Sequence, residues 1–360
     1  MSNYIEYNDR IAFHPGYYLK ELVDESGLTQ EDFAKRLGTT PKNLSILIRG
    51  EQDLSIDIAT KLSRMQGTTI SYWLNLQQLY QEVQAEFLSD EELKKEREVF
   101  RFLDYKYFRD YYSFPDLPRK VDEQIKRVRE FLSVSSLTVL EKESLAVSFR
   151  SYTDCLSRSN IVNANAMVQI AVNQALKVQA PKFNKKKFRN AVQFALTQTC
   201  NHRGFLPVIT KAFQEAGVVL VVLPNLKNSG INGATKKLDG KILLMVNDRR
   251  HYADTFWFTL FHEIGHIMSG DYGITFKDNK NQSEDEADYY AQRSLIPQEP
   301  YEEFLRCNRL FDEENIRAFA ESIDQDPGIV FGRLQNDGKI PYTETALSDK
   351  LRYKYKVSVG

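Results

Sequence analysis

The chain has 360 residues, 42% of them hydrophobic and 27% charged, with a formal net charge of −1. This length suits two or three domains, since single cores stop growing at roughly 100–200 residues, and no apolar run approaches the ~18 residues that a membrane span needs. The first residues have neither a basic start nor an apolar block, so we expect no secretion signal. Cys155, Cys200 and Cys307 lack any C-x-x-C spacing and are predicted to be reduced core thiols of a cytoplasmic protein.

Short helices with clear boundaries are predicted for the first ~85 residues. Pro in a first turn, a Ser or Thr cap before it and Gly after the last turn mark where a helix begins and ends. The predicted helices are one opened by His14-Pro15-Gly16 and closed by Gly27, one over Gln30–Leu37 capped by Thr29 and ended by Gly38, one from Thr40-Pro41 to about Ile48, one from Ser55 to Gly67, and one from Ser71 onward.

Gly38 separates two predicted helices of about eight residues, which is the spacing of a helix-turn-helix. In that motif the second helix lies in the major groove, with its N-terminal residues at the base edges. Polar or basic groups that can reach bases or phosphates are the candidate contacts with DNA. They are Gln30, Thr40, Lys42, Asn43, Ser45 and Arg49. The alternative is a bundle that only mediates protein contacts, because residues 1–70 carry 8 basic and 10 acidic side chains and phosphate binding favours positive charge.

The segment GLTQEDFAKRLGTTPKNLSILIRGEQDLSIDIATKL resembles the XRE-type helix-turn-helix of HigA-like antitoxin repressors, over about residues 13–80. The resemblance implies a five-helix bundle that binds double-stranded operator DNA. We expect the protein to be a homodimer formed through its helical front half. A toxin partner is an alternative binding function of such a repressor.

The predicted architecture changes along the chain. The charged segment SDEELKKEREVFRFLDYKYFRDYY is predicted to be helical and to break at Ser113–Pro118, and helices are expected over residues 119–200. Beyond Gly217 the runs VVLVVL and KILLMVN predict strands, and helices return from Tyr252. The fold class is therefore a mainly α N-terminal half with an α+β C-terminal domain carrying a small sheet. The predicted domains are 1–85 (helix-turn-helix), 86–180 (helical linker and dimerisation region), 181–345 (α+β domain) and 346–360 (basic C-terminal tail).

The segment FTLFHEIGHIMSGD contains the pattern H-E-x-x-H. On a helix His262 and His266 are four residues apart and share one face, so both imidazoles can bind one zinc ion. Glu263 lies beside that face, where it can take a proton from water as a general base. Asp254 and His251, just before this helix, are expected to be capping or surface groups.

A catalytic zinc site usually has three protein ligands, so a carboxylate is expected on a later helix. The segment Ser283 to Asp288 supplies the candidates. Glu284 and Asp288 are four residues apart and can both face the metal, Glu284 as a ligand and Asp288 as the acceptor for a ligand histidine N–H. Asp285 and Glu286 would point elsewhere, unless the register differs by one position.

The segments FTLFHEIGH and EDEADYYAQRSLIP resemble the ImmA/IrrE-type metallopeptidases, over about residues 200–300. The resemblance implies a zincin-like domain with Zn²⁺ bound by His262, His266 and Glu284 and with Glu263 as the general base. Asp288 stands where many members of the family have Asn, which should preserve the orienting role. The family implies cleavage of a repressor or antitoxin-like partner protein, and we expect the substrate to add a strand at Lys241–Asn247 as the edge of the sheet.

Charge is distributed unevenly between two later segments. Residues 155–214 contain 9 basic and no acidic side chains, whereas residues 278–326 contain 14 acidic and 5 basic ones. Within the first segment, residues 182–189 interleave lysines with Phe183 and Phe188, a composition that suits single-stranded nucleic acid. The alternative is a solvated helix face, or a partner for the acidic segment.

The predicted function is a DNA-binding regulator with a zinc-dependent endopeptidase domain. The alternative is a HigA-like antitoxin that binds DNA and a toxin, with a metal site of little or no proteolytic activity. A third hypothesis is self-cleavage near Ser113–Pro118, which would separate the two halves.

Overall fold

The computed structural model describes residues 3–142, 157–248, 251–276 and 282–355, with only the backbone of Thr275 and Phe276. Cys155 and the last residues of the predicted C-terminal tail lie outside these ranges. Cys200 and Cys307 are exposed, so the prediction that they are core thiols was wrong. The chain forms two compact units, Met1–Lys95 and Glu96–Gly360.

The N-terminal unit begins with an antiparallel hairpin that was not predicted, since helices were expected throughout this region. Strands β1 (Tyr4–Tyr7) and β2 (Arg10–Phe13) pair with Tyr4 opposite Phe13. The turn between them needs positive φ at Asn8 and Asp9, a conformation that Asn and Asp tolerate better than most residues.

Helices follow the hairpin with boundaries close to those predicted. They are α1 (Pro15–Glu25), α2 (Gln30–Leu37), α3 (Pro41–Ile48), α4 (Ile56–Gln66) and α5 (Ile70–Phe100). The side chains of Thr29, Thr40 and Ser55 accept hydrogen bonds from the backbone N–H groups three residues later, which satisfies donors that a helix start leaves open.

One core holds the N-terminal bundle together. Leu19, Phe33, Leu44, Leu62 and Trp73, one from each of α1 to α5, are each at most 2% exposed and belong to a single cluster. Helix α5 is longer than predicted, because the charged segment after residue 85 continues the same helix to Phe100.

The second unit begins with a series of helical segments that precede the sheet of this domain in the chain. They are α6 (Tyr105–Tyr112), α7 (Val121–Leu132), a 3₁₀ helix (Leu137–Glu141), α8 (Arg158–Lys177), α9 (Lys185–Leu196) and α10 (Phe205–Glu215). The predicted break at residues 113–118 does join α6 to α7. It is anchored, however, because the Phe114 ring packs against Phe108 and Phe131.

The sheet of the second unit has four strands within the described residues: β3 (Val218–Leu223), β4 (Ile231–Leu238), β5 (Lys241–Asn247) and β6 (Ile274–Phe276). Their order in the sheet is β3-β5-β4-β6. β3 runs parallel to β5, whereas β4 is antiparallel to both β5 and β6. The prediction that Lys241–Asn247 forms a free edge was therefore wrong: β5 is hydrogen-bonded on both sides. The edge strands are β3 and β6.

The remaining helices complete this domain. They are α11 (Ala253–Ser269), α12 (Gln282–Leu295), α13 (Gln298–Cys307), α14 (Glu313–Ser322), α15 (Pro327–Asn336) and α16 (Thr345–Leu351). Trp257, Leu260, Phe261 and Ile264 of α11 are fully buried in the main core of the unit. No helix within the described ranges is both long and apolar enough to cross a membrane.

Candidate metal centre and helix-turn-helix surface

The central helix of the C-terminal unit carries His262 and His266 on one face. Both side chains are largely buried, with His262 7% exposed and His266 fully enclosed. The apolar side chains on the rest of α11 are buried in the core, which fixes the rotation of this helix about its axis. The helix ends at Gly270, whose positive φ of 86° lets its N–H bond to the His266 carbonyl.

The two imidazoles meet a carboxylate from the next helix. His262 Nε2 lies 3.1 Å from His266 Nε2 and 3.1 Å from Glu284 Oε2, and His266 Nε2 lies 3.5 Å from Glu284 Oε1. One ligand atom from each of these three residues falls within a 4.8 Å cluster that could hold a metal ion. The geometry therefore brings together the three residues predicted as ligands.

Close packing of α11 against α12 brings the Glu284 side chain next to the two histidines. Gly265 lies between the two histidines in sequence, and a Cβ at that position would be 3.1 Å from the Cα of Ala287. The absence of a side chain on Gly265 thus lets the backbone of α12 approach. Glu284 is 4% exposed, one turn before Ala287, and faces α11.

Each histidine also contacts a carboxylate through its other ring nitrogen. Asp288 Oδ1 lies 2.7 Å from His262 Nδ1, as the spacing on α12 predicted. Asp271 Oδ2 lies 3.3 Å from His266 Nδ1 and accepts a hydrogen bond from the Ser283 hydroxyl. Sequence reasoning missed Asp271, although an acidic residue directly after the Gly that ends a histidine-bearing helix was a usable signal.

These contacts test whether the residues fit a divalent cation. A carboxylate at Nδ1 favours the tautomer with the proton on Nδ1 and a lone pair on Nε2. Two Nε2 lone pairs 3.1 Å apart repel each other unless a cation lies between them and the nearby carboxylate. Two imidazoles and one carboxylate are also a donor set that catalytic zinc uses. The residues fit zinc.

The electrostatics of the cluster agree with a strong attraction for positive charge. Burial alone lowers the pKa of His262, but hydrogen bonds to Asp288 and Glu284 outweigh it and raise the pKa to about 9. Burial raises the pKa of Glu284, yet hydrogen bonds from His262 and His266 lower it to about 2. Without a metal, a proton would therefore occupy the place of the cation.

Glu263 lies between α11 and the sheet. Its side chain is fully buried and touches β4 at Gly233, where a Cβ would come within 2.5 Å of the Glu263 Cγ. The Glu263 carboxylate is thus held against a strand, next in sequence to the candidate ligand His262.

Asp254 is not a capping or surface group, contrary to the prediction. It is 7% exposed, and its two carboxylate oxygens accept hydrogen bonds of 3.0 and 2.8 Å from the guanidinium of Arg352. Burial raises the pKa of Asp254, and Arg352 opposes that change. His251 lies at the surface, 3.6 Å from Asp248. Arg352, within the segment predicted as a basic tail, is thus part of this domain.

The predicted DNA contacts lie on the surface of the N-terminal unit around α3. Gln30, Thr40, Lys42 and Arg49 are exposed, and Asn43 and Ser45 are half-buried. The side chain of Thr40 caps α3, accepting from the Asn43 N–H at 3.1 Å.

Arg49 already has partners within the N-terminal unit. Its guanidinium donates to both carboxylate oxygens of Glu51, at 2.7 and 2.9 Å, and to the Ser45 hydroxyl at 2.6 Å. Contact with a phosphate would have to compete with Glu51.

The aromatic residues in the basic segment 182–189 are not available for stacking on bases. Phe188 is fully buried and Phe183 packs against the same core. Lys185 donates to the carbonyl of Met268 at 2.8 Å. These contacts favour the alternative of a solvated helix face.

Two known families match the chain. Residues 19–73 match the helix-turn-helix family HTH_3, which covers most of α1 to the start of α5. Residues 214–322 match the IrrE N-terminal-like domain, Peptidase_M78, which includes the sheet and the helices that carry the metal-binding cluster.

Similar proteins match the N-terminal part. The HTH-type transcriptional regulator YddM of Escherichia coli (strain K12) is 33% identical over 79 residues, which are 21% of this chain and 84% of that protein. Virulence-associated protein I of Dichelobacter nodosus is 32% identical over 80 residues, 22% of this chain and 74% of that protein. A solved structure described as an antidote protein of a plasmid maintenance system from Nostoc punctiforme is 28% identical, covers 23% of this chain and 92% of that one, and has a TM-score of 0.23.

The fold and these matches define a regulator with a DNA-binding helix-turn-helix domain and a metallopeptidase-type domain. The chain belongs to the helix-turn-helix transcriptional regulators through its N-terminal part, and its residues 214–322 match the IrrE N-terminal-like domain.

Proposed function

We propose that the C-terminal domain is a zinc-dependent endopeptidase that cleaves a repressor or antitoxin-like partner protein, and that the helix-turn-helix binds double-stranded operator DNA. One observation supports the peptidase most directly. His262, His266 and Glu284 converge within 4.8 Å while Glu263 is buried beside them. A purely structural zinc site usually has four protein ligands, whereas three leave a position open for chemistry.

The chemistry divides between the metal and the protein. When bound, zinc acidifies water and polarises a peptide carbonyl. Glu263 accepts a proton on its carboxylate as the water oxygen attacks the carbonyl carbon. It then delivers this proton to the amide nitrogen as the C–N bond breaks, which yields a carboxylic acid and an amine; the remaining proton of the water then passes from the acid to the amine. Asp288 and Asp271 hold the His262 and His266 rings in orientation through their Nδ1 atoms.

The test combines metal analysis with co-expression. The parent chain and Glu263→Gln are each produced with the products of the neighbouring genes, and fragments are identified by mass spectrometry. We expect about one zinc per chain in both proteins, with cleavage of a partner only by the parent. Equal cleavage by both would remove Glu263 from the mechanism. A cut within residues 113–118 of the parent chain would instead support self-cleavage.

Deep burial of the centre favours a second candidate function. His266 and Glu263 are fully enclosed, as in a site where metal only stabilises the fold. The chain would then be a HigA-like repressor that binds DNA and a toxin. In that case zinc is retained, no partner is cleaved, and a co-expressed toxin copurifies with the chain. The homodimer stays a prediction under either function.

A further inference from the structure

A cavity of about 550 Å³ adjoins the candidate metal centre within the C-terminal unit. Its lining includes Asp288, whose carboxylate contacts His262, and Asn232, the chain neighbour of Gly233, which touches Glu263. The cavity therefore reaches both a residue that holds a candidate ligand and the strand against the candidate base. Its volume is within the range of pockets that bind small molecules or side chains.

The charged side chains that line this cavity already have partners. Asp254 and Arg352 form a bidentate pair, Asp288 contacts His262, and Arg333 donates to Asp337 at 2.8 Å. An incoming charged group would lose its hydration and gain no unpaired counterion. Such a group is therefore disfavoured.

The uncharged lining combines apolar side chains, such as Phe258, Leu295 and Ile329, with five carboxamides. The carboxamides are Asn232, Asn247, Gln292, Gln335 and Asn336. Asn247 donates to the Ile231 carbonyl at 2.7 Å and Gln335 to the Pro341 carbonyl at 3.3 Å. Asn232 and Gln292 are half-buried, and their side chains make no hydrogen bond to any residue that the structure describes. An apolar occupant would take water from both amides and leave them unsatisfied.

We propose that this cavity is the specificity pocket of the site and binds the side chain of a glutamine or asparagine in the protein substrate, next to the scissile bond. A carboxamide presents one acceptor and two donor hydrogens, which match the amides of Asn232 and Gln292. This inference rests on the proposed peptidase function for its biological meaning, but its test measures binding alone.

The test selects peptides from a displayed library of random decapeptides. The target is zinc-loaded, full-length Glu263→Gln, which keeps the candidate ligands but cannot use the base. We expect Gln and Asn to be enriched at one position by about tenfold over Leu and Glu, the discrimination that one or two buried hydrogen bonds supply. The same selection with Gln292→Leu added should shift that position to Leu or Met.

A matched control keeps the result specific to the cavity. Gln193→Leu changes an exposed amide on α9 outside the cavity and should leave the Gln and Asn enrichment unchanged. The proposal is overturned if no position is enriched, if charged residues are selected, or if Gln292→Leu selects the same peptides as its parent. These outcomes are distinct from a failed peptidase: amide selection without partner cleavage would refute the proposed hydrolysis and leave the pocket standing.

Discussion

Gly233 of β4 lies directly against Glu263 of α11, so close that a Cβ at Gly233 would be 2.5 Å from Cγ and 2.6 Å from Oε1 of that carboxylate. The sheet and the central helix therefore meet at the candidate general base. The space that a methyl group would need is occupied by the carboxylate itself.

Replacing this glycine should impair catalysis more than folding. In Gly233→Ala the carboxylate of Glu263 has to move, and displacement of a reacting group by about 1 Å can cost roughly 100-fold in rate. We expect partner cleavage to fall by about that factor while the zinc content stays at the parent level. Lys237→Ala, at an exposed position of the same strand, serves as the control. Parent-like cleavage by Gly233→Ala would contradict this role of the close contact.

Asp271 should support metal binding through His266. In Asp271→Asn the ring loses a charged partner at Nδ1, and loss of such an outer contact typically weakens metal affinity about 10–100-fold. Competition with a zinc chelator measures the change, and Asp288→Asn should show a similar loss through His262. Asp285→Asn, an exposed neighbour on α12, should bind zinc as the parent does. Unchanged zinc affinity in Asp271→Asn would show that the contact of Asp271 with His266 does not support metal binding.

The buried pair of Asp254 and Arg352 should stabilise the C-terminal unit only while both partners are present. Arg352→Met leaves a buried carboxylate without its guanidinium, a change that typically costs about 3–5 kcal/mol. Adding Asp254→Asn to Arg352→Met should recover part of the lost free energy of unfolding. Urea unfolding followed by Trp257 fluorescence, in a Trp73→Phe background, reports on this unit. A double variant no more stable than Arg352→Met would show that the cost has another origin.

Glu51 should weaken DNA binding by holding Arg49. Glu51→Gln removes the competing carboxylate, so affinity for a random-sequence duplex at low salt should rise and its salt dependence should steepen by about one counterion. Arg49→Ala should do the opposite. Fluorescence anisotropy measures the affinity of each variant for DNA. The control is Lys35→Ala, which removes an exposed cation paired with Glu31 and shows the effect on DNA affinity of losing a positive charge elsewhere. Identical salt slopes for Glu51→Gln and Arg49→Ala would exclude Arg49 from phosphate contact.

Buried tyrosines should make the C-terminal unit sensitive to alkali. Burial raises the pKa of Tyr112 to about 12 and raises that of Tyr107, whose hydroxyl donates to the Pro224 carbonyl. Because the folded pKa lies above the ordinary value of 10, the free energy of unfolding is maintained below pH 10 and falls as the pH rises toward 12. Tyr112→Phe should reduce this fall, measured by urea unfolding at each pH, whereas exposed Tyr289→Phe should not.

The local features of the chain could be predicted because neighbouring residues encode them. Thr29 and Gly38 mark the two ends of α2, and the four-residue spacing of His262 and His266 places both rings on one face of α11. The same spacing brought Glu284 and Asp288 to the metal-facing side of α12. The matches to both families agree with the two domain types predicted from the sequence.

Strands were harder to predict than helices. β4 has the sequence INGATKKL, which has the Gly, Asn and Lys content of a loop, and it becomes a strand because β5 and β6 pair with it on both sides. Apolar composition alone predicted β5 as a strand, but composition does not distinguish an edge strand from an inner one.

By itself the sequence determined the two domain types, most helix boundaries and the candidate ligands of one metal ion. Helix boundaries and the shared face of two ligands follow from caps and helical periodicity, which act over a few neighbouring positions. Only the tertiary structure decided that Asp271 contacts His266, that β5 is an inner strand and that Arg352 pairs with Asp254, 98 positions away. Those contacts depend on how packing of the core brings distant segments together, which no local pattern records.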